Sequence, residues 1–210
     1  MTPPATVAAL QAAMAASETT EWLEGLEPFN TEAQKISELP PAASKKAFFV
    51  EIGGGYGHQC INLAKKYPGL ERRLIFQDLP EVVNKLPPID GVRIMAHSLF
   101  EKQIIRGSRF YYLRQVLRNW PDDEVIKILQ NIAANMSHRS RILIDDIVLP
   151  DSHAPWQATL ADMLLMIGVG TKERSRKKWE SLAERAGLRI EQVHSYVKAG
   201  CPAVVVLALK

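Results

Sequence analysis

Apolar and polar positions change their spacing repeatedly along the chain, and from residue 47 onward the changes predict alternating strands and helices. Short runs rich in β-branched and aromatic residues are typical of buried strands, and apolar residues recurring every three or four positions are typical of helices. The strand-like runs are AFFVEI, RLIFQD, VRIMAHS, RFYYLRQVL and RILIDDIVL. The helix-like segments are GHQCINLAKKY, LPEVVNKL, DDEVIKILQNIAANM and WQATLADMLLMIG. This order predicts an α/β fold in which helices cover both faces of a mostly parallel sheet.

The two ends of the chain differ from this pattern. Residues 6–39 are rich in Ala, Glu and Thr and predict helices, which the two prolines of the linker LPPAASKK end. We therefore expect residues 1–45 to form a helical extension with a linker, and residues 46–210 to form the main domain. After a last predicted helix, ERSRKKWESLAERAG, the runs LRIEQVHSYV and AVVVLAL follow with a link too short for a crossover helix. They predict an antiparallel hairpin at one side of the sheet.

Composition narrows the function classes. The chain has 210 residues, 47% of them hydrophobic, and its 26 Lys+Arg and 23 Asp+Glu give a net charge of +3 with the basic residues scattered. Nucleic-acid binding has little support from this pattern, whereas a small anionic ligand is compatible with it. Cys60 and Cys201 lack metal or disulfide spacing, so no metal site is predicted. The uninterrupted apolar runs are too short to span a membrane, and there is no signal-peptide pattern. We therefore expect a soluble, cytoplasmic protein.

A glycine-rich turn follows the first predicted strand in FFVEIGGGYGHQC. Gly53, Gly54, Gly55 and Gly57 would allow backbone N–H groups to approach a nucleotide-like cofactor closely. The dinucleotide spacing GxGxxG is not met, because His58 stands at the third glycine position, and this disfavours NAD. The alternative is a tight turn without a ligand, which we disfavour because four glycines in five positions destabilise a chain.

Two charged residues follow predicted strands at positions where ligands bind in parallel sheets. Asp78 ends the second strand about 20 residues after the glycines, where an acid can accept both ribose hydroxyls. It could instead cap the next helix. Arg118 lies in YYLRQVLRNWPDDE, which we place at the carboxyl end of the fourth strand. It is either an active-site cation or a structural residue that only forms salt bridges with nearby acids.

Five motifs together resemble the S-adenosylmethionine-dependent O-methyltransferases of plant and fungal secondary metabolism. They are VEIGGGYGHQC, FQDLPEVV, YYLRQVLRNWPDDE, DDIVLPD and GVGTKERS, and the resemblance covers residues 48–210. It implies the Rossmann-like methyltransferase fold, with a seven-stranded, mostly parallel sheet and an antiparallel C-terminal hairpin. It also implies S-adenosylmethionine or S-adenosylhomocysteine as the cofactor, and a small secondary metabolite as the substrate.

The resemblance also implies eight cofactor contacts. The glycines would pass under the methionine part, and Asp78 would accept the ribose hydroxyls. Leu99 and Trp120 would lie near the adenine, and Arg114 would be a basic contact. Ser98 stands where the family usually has an acid for the adenine edge, so we expect weaker cofactor binding. The eight positions are Gly53, Gly55, Gly57, Asp78, Ser98, Leu99, Arg114 and Trp120.

By the same resemblance, Arg118 replaces the catalytic histidine of the family, and Asp146 and Glu173 match the carboxylates beside it. Arginine stays protonated and cannot remove a proton, although it can bind an anion or polarise a carbonyl. The alternative is that Arg118 only bridges these two acids. His153, in the loop after the fifth strand, is a weak candidate for a substitute base.

Three functions are therefore open at this point. The leading hypothesis is an O-methyltransferase domain whose substrates need no deprotonation. The second keeps the cofactor without methyl transfer, as a dehydratase-like or pericyclase-like enzyme in which Arg118 activates a carbonyl. The third is a non-catalytic binding module. Since residues 1–45 are shorter than the helical dimerisation region usual in the family, we also expect an open pocket, an exposed apolar patch, and a monomer or weak dimer. Either a domain cut from a longer protein or a naturally short relative would fit this length.

Overall fold

The computed structural model describes residues 20–38, 46–197 and 201–210. The helices predicted before residue 20, most of the proline-containing linker, and part of the link between the last two strands lie outside these ranges. The described helices are α1 Glu27–Ser37, α2 His58–Lys66, α3 Pro80–Val83, α4 Asp122–Ala133, α5 Trp156–Val169 and α6 Arg176–Arg185. Three short 3-10 turns span Glu21–Leu23, Pro68–Leu70 and Leu117–Asn119.

The sheet confirms the predicted fold class. Its strands are β1 Phe49–Ile52, β2 Leu74–Asp78, β3 Val92–Ala96, β4 Phe110–Arg114, β5 Arg141–Leu149, β6 Arg174–Ser175, β7 Leu188–Ser195 and β8 Pro202–Leu209. Seven strands lie in the order β3-β2-β1-β4-β5-β8-β7. Strands β1 to β5 are parallel, and β8 runs antiparallel to both β5 and β7, as the hairpin prediction required. The two-residue β6 pairs beside the carboxyl end of β5.

Helix α4 shows how local sequence determines these elements. Three acids occupy its first turn, where they interact favourably with the helix dipole. Val125, Ile128 and Leu129 are completely buried, at the spacing of one helix face. They pack with α6 on one face of the sheet, whereas α1 and α2 cover the other face.

The N-terminal segment that the structure describes is packed onto the sheet. Trp22 is fully buried, and its ring centroid lies 4.6 Å from that of Tyr112 on β4. Phe29 of α1 lies 4.7 Å from Phe110 by the same measure. Residues 20–38 therefore share a core with the main domain, although the boundary at residue 45 stays a prediction.

Three details differ from the sequence prediction. Strand β4 ends at Arg114, because Gln115 adopts a left-handed φ of 54° and turns the chain. Arg118 consequently lies in the 3-10 turn Leu117–Asn119 rather than at the end of the strand. The last helix begins at Arg176, since the side chain of Ser175 accepts a hydrogen bond from the Lys178 N–H and caps it. The helix predicted over LPEVVNKL is only the short α3.

Helix α5 has an exposed apolar face, which fits the patch expected from the sequence. Ile167 is 76% exposed and Trp156 70% exposed, and these two are joined by Leu160, Met163 and Leu164. Such a patch on a soluble domain commonly marks an interaction surface. No helix within the described ranges is long and apolar enough to cross a membrane.

Candidate functional site

The glycine turn connects β1 to α2 at the carboxyl edge of the sheet. Gly53, Gly55 and Gly57 have φ values of 70°, 63° and 71°, a region that glycine adopts without steric cost. A Cβ at Gly54 would lie 2.4 Å from Oε1 of Glu51, so packing alone excludes a side chain there. Gly55 differs, because a Cβ at that position would meet nothing within 4 Å. The turn is therefore open to a ligand at Gly55.

Glu51 is a buried acid in β1 that the sequence analysis did not identify. Its Oε2 accepts a hydrogen bond of 2.9 Å from the Cys60 N–H, and its Oε1 accepts one of 3.4 Å from the Gln59 N–H. Both donors belong to the first turn of α2, where N–H groups lack partners within the helix. Glu51 thus fixes the glycine turn between β1 and α2. The only signal in the sequence was an acid in an otherwise apolar strand.

Asp78 and the glycine turn lie together, as predicted. Oδ2 of Asp78 accepts a 2.9 Å hydrogen bond from the Gly55 N–H, and Oδ1 accepts a 2.7 Å bond from the Leu79 N–H. Burial raises the pKa of the Asp78 carboxyl, and these two hydrogen bonds oppose the shift. Each carboxylate oxygen can accept a further hydrogen bond, so Asp78 has acceptor capacity left for two hydroxyl donors.

The residues assigned to the adenine form a partly apolar wall that follows the carboxyl ends of β3 and β4. Leu99 and Trp120 both pack against the hydrophobic core under α4. The Trp120 ring lies 4.7 Å from that of Phe100 in an edge-to-face arrangement, and Phe100 is 40% exposed. Ser98 accepts a 3.3 Å hydrogen bond from the Phe100 N–H through its hydroxyl. Phe100 is therefore a further candidate contact that the sequence analysis missed.

Arg114 is anchored by a buried carboxylate. Its Nη1 lies 3.2 Å from Oδ2 of Asp145, which is 2% exposed. The hydroxyl of Tyr196 donates a 2.7 Å hydrogen bond to Oδ1 of Asp145, and the hydroxyl of Tyr112 donates a second bond to Oδ2. The structure places Arg114 in this network, and its predicted contact with the cofactor stays a prediction.

Arg118 and Glu173 form an ion pair, with 3.1 Å between Nη1 and Oε1. The Glu173 side chain is 1% exposed and that of Arg118 is 17% exposed. The Glu173 N–H donates a 2.6 Å hydrogen bond to Oδ1 of Asp162 on α5. Glu173 is therefore fixed through its backbone N–H, and its buried carboxylate pairs with the Arg118 guanidinium.

Arg174 holds the turn that carries Arg118. Its guanidinium donates hydrogen bonds of 3.0 Å to the Leu117 carbonyl and 2.6 Å to the Trp120 carbonyl. It also donates one of 3.0 Å to the Asp122 carboxylate at the start of α4. A guanidinium carries five N–H donors in one plane, so it can donate to three acceptors at once. The sequence analysis did not identify Arg174, because its partners lie more than fifty positions away.

Two buried carboxyls beside Arg118 have raised pKa values. Both oxygens of Asp146 are buried without a hydrogen-bond partner among the described residues. Burial, reinforced by the nearby Glu173, raises the pKa of Asp146 well above its ordinary value. Burial raises the pKa of Glu173 to about 7, although Arg118 opposes the shift. The raised pKa of Asp146 favours its neutral form, and Glu173 titrates near neutral pH.

His153, the weak candidate for a substitute base, lies in the loop that follows the carboxyl end of β5. His153 is exposed after β5, with a φ of 55°. In the part of the chain that the structure describes, no group of three or more His, Cys, Asp and Glu side chains is arranged to hold a metal ion. The carboxyl edge thus combines a glycine–aspartate turn, an apolar wall and the Arg118–Glu173 pair.

The comparisons with known proteins agree with this geometry. Residues 40–189 match the family model of the O-methyltransferase domain. O-methyltransferase lepI of Aspergillus flavus is 42% identical over 172 residues, which are 80% of this chain and 44% of that protein. Demethylsterigmatocystin 6-O-methyltransferase stcP of Emericella nidulans is 40% identical over 156 residues, which are 74% of this chain and 76% of that protein.

Solved structures are similar over the same region. The structure of the LepI complex with SAM has a TM-score of 0.76 and 40% identity, and covers 85% of this chain and 46% of that one. A structure described as a pericyclic reaction enzyme has a TM-score of 0.77 at 40% identity, over 85% of this chain and 47% of that one. This chain thus spans less than half the length of lepI and of both solved chains. The sequence matches and the shared fold show that the chain belongs to the O-methyltransferase domain family.

Proposed function

We propose that this chain is the cofactor-binding and catalytic region of an S-adenosylmethionine-dependent O-methyltransferase that acts on a small secondary metabolite. The observation that carries the proposal is the 2.9 Å hydrogen bond between Asp78 and the Gly55 N–H. It joins the open glycine turn to a carboxylate that retains acceptor capacity. The O-methyltransferase relatives and the SAM-bound neighbour support the same assignment.

The described residues fit such a cofactor. Asp78 would accept the two ribose hydroxyls, and the open face at Gly55, with Gly53 and Gly57 on either side, would admit the methionine part. Leu99 and Trp120 would cover one face of the adenine, with Ser98 at its edge. Arg114, which its ion pair with Asp145 holds in place, would be the basic contact to the cofactor. When bound, the cofactor supplies an electrophilic methyl group on a sulfonium.

Arg118 would bind and orient the oxygen acceptor. As a permanent cation it can hold a carboxylate or an acidic phenolate in line with the methyl donor, and positioning of this kind contributes several kcal/mol. Glu173 competes for the same guanidinium while it is ionised. Because the pKa of Glu173 is about 7, protonation near neutral pH releases Arg118 for an anionic substrate. Burial raises the pKa of Asp146, which favours its neutral form and limits the negative charge that would repel such a substrate.

A second candidate function is a reaction without methyl transfer, in which Arg118 activates a carbonyl. The cation at the position of the family's histidine favours it, and so does the similarity to the pericyclic reaction enzyme. The third candidate, a non-catalytic binding module, has no observation of its own in its favour. All three share the cofactor site, so only a turnover measurement separates them.

The test compares the parent chain with Arg118→His and Arg118→Lys on a panel of neutral phenols and carboxylates, with a radiolabelled methyl donor. We expect the parent to leave neutral phenols unmethylated, because no group at position 118 accepts the proton. Arg118→His should restore phenol methylation by about 10²–10⁴-fold. Arg118→Lys, which keeps the charge without adding a base, is the matched control and should stay inactive on phenols.

Two outcomes would decide against the leading proposal. Phenol methylation by the parent at an ordinary enzymatic rate, with the histidine variant slower, would show that Arg118 does not replace a base. If all three chains bind the cofactor but methylate no acceptor, the reaction without methyl transfer is favoured.

We also propose a cytoplasmic location and a monomer or weak dimer. Cys60 and Cys201 are free thiols, and burial raises the pKa of Cys60 well above its ordinary value, which suits an unreactive thiol in a reducing compartment. Residues 46–210 would be the catalytic domain, with residues 1–45 as its helical extension. No nucleic acid or membrane partner is part of this proposal.

A further inference from the structure

A second cavity lies at the amino-terminal edge of the sheet, on the side opposite the glycine turn. Its volume is about 480 Å³, within the range of small-molecule sites. Basic residues enter it from just before or at the start of four parallel strands. They are Lys46 before β1, Arg73 before β2, Arg109 before β4, Arg139 before β5 and Arg141 at the start of β5. We call this the amino-edge cavity.

The fold brings these five cations together from distant parts of the sequence. They are spread over positions 46–141, so along the chain the basic residues look scattered. Glu32 of α1 is the one acid among the described lining residues. A concave surface lined mainly by one sign of charge concentrates the electrostatic field and attracts counter-ions. The cavity is therefore electropositive, although the chain as a whole carries only +3.

Several of these cations are held in fixed positions. Arg73 is 3% exposed. The guanidinium of Arg141 pairs with Glu191 and also donates a 2.9 Å hydrogen bond to the His138 carbonyl. Nε of Arg109 lies 3.4 Å from Oε2 of Glu32, yet this buried nitrogen makes no hydrogen bond within the described residues. Arg109 and Arg141 are thus each paired with a carboxylate, and these ion pairs fix their guanidinium groups at the wall of the cavity.

We propose that the amino-edge cavity is a second ligand site, which binds a small polyanion carrying at least two phosphate groups. Arginine guanidinium groups match phosphate oxygens in bidentate geometry. Glu32 and Glu191 each pair with one of the five cations, so these seven side chains carry a formal charge of +3, which exceeds the charge of a monovalent anion. A nucleic acid presents its phosphates along an extended line, whereas these cations converge on one concave volume. A compact ligand is therefore favoured over a polymer.

The test is calorimetric titration of inorganic pyrophosphate and triphosphate into the full chain at constant ionic strength, with monophosphate as comparison. We expect saturable binding that strengthens from monophosphate to triphosphate. Lys46→Glu and Arg139→Glu reverse charges at exposed lining positions, and each should weaken binding by about tenfold or more. Arg93→Glu is the matched control, because Arg93 is exposed on β3 and does not line the cavity. It should leave pyrophosphate binding nearly unchanged.

Melting temperature and S-adenosylhomocysteine binding, measured on each variant, separate loss of the site from loss of the fold. The proposal is wrong if the parent shows no saturable pyrophosphate binding, or if Arg93→Glu weakens binding as much as Arg139→Glu. It is also wrong if S-adenosylhomocysteine displaces pyrophosphate, since the polyanion would then occupy the cofactor site. Tighter binding of an oligonucleotide than of triphosphate, lost in the same variants, would identify a nucleic-acid surface instead.

Discussion

Replacing Arg118 by methionine should destabilise the protein in a pH-dependent way. The change keeps an apolar stem of similar length and removes the cation that lies 3.1 Å from Glu173. Glu173 then has a buried carboxylate without its positive partner. Breaking one side of a buried ion pair is strongly destabilising, because the remaining charge is not compensated.

The magnitude follows from the pKa of Glu173, raised from 4.5 to about 7 in the folded chain. A raised carboxyl pKa means that the folded protein retains a proton that the unfolded chain releases, so stability falls as pH rises from 4.5 to about 7. At 1.36 kcal/mol per unit, the shift of about 2.5 units costs ~3 kcal/mol above that window. Arg118 lowers the pKa of Glu173, so removing Arg118 raises that pKa. The pH range over which stability is lost then extends to higher pH. Over the pH range from about 7 to 8.5, at 1.36 kcal/mol per pH unit, the additional loss in the variant is about 2 kcal/mol.

Urea denaturation at pH 5.5 and pH 8.5 measures the effect. We expect the free energy of unfolding lost in Arg118→Met to be about 2 kcal/mol larger at pH 8.5, because Glu173 is protonated in both chains at pH 5.5. Introducing Arg118→Met into Glu173→Gln is the control, and it should remove most of the pH dependence. Any pH dependence that remains in the Glu173→Gln background is due to Asp146, because Arg118 also lowers the pKa of Asp146. Equal losses at the two pH values, or a larger loss in acid, would refute the reasoning.

Two further predictions concern the turn and the exposed helix. Gly54→Ala should lower the free energy of unfolding by about 1–3 kcal/mol in denaturant titrations, because its Cβ would displace the Glu51 carboxylate that caps α2. Gly168→Ala on α5 is the control, because a Cβ there would meet nothing within 4 Å and the φ is not left-handed, and a loss in Gly54→Ala no larger than in this control would contradict the prediction. Light scattering should show a monomer or a weak, concentration-dependent dimer whose association Ile167→Lys reduces, since Ile167 is 76% exposed on α5. A tight dimer at micromolar concentration that Ile167→Lys leaves intact would mean that another surface associates.

Much of the fold could be predicted from the sequence because each signal was local. The change between strand-like and helix-like spacing marked β1 to β5 and their helices, and the short link marked the C-terminal hairpin. The errors arose where a single residue changed the chain direction. Gln115 ends β4 early through its left-handed φ, and Ser175 starts α6 late through its cap. Gln rarely adopts a left-handed φ, so the sequence carried no signal for the first, whereas Ser is a favoured N-cap residue that the prediction passed over when it began the helix at Glu173.

The candidate site was predictable only in part. The glycines and Asp78 could be found because sequence spacing and strand ends bring them to one edge. Arg174 and the amino-edge cavity could not, because their contacts join positions that only the tertiary structure brings together. The same is true of Tyr196, which reaches Asp145 from 51 positions away.

Calorimetric titration of S-adenosylhomocysteine into the parent chain and into Asp78→Ala measures the proposed cofactor site itself. We expect saturable binding by the parent, because the glycine turn and the Asp78 carboxylate would together form that site. Asp78→Ala should weaken that binding by at least about tenfold, since each charge-assisted hydrogen bond contributes ~1.5–3 kcal/mol. Absence of binding by the parent, or equal affinity in a correctly folded variant, would contradict the cofactor site and the function proposed from it.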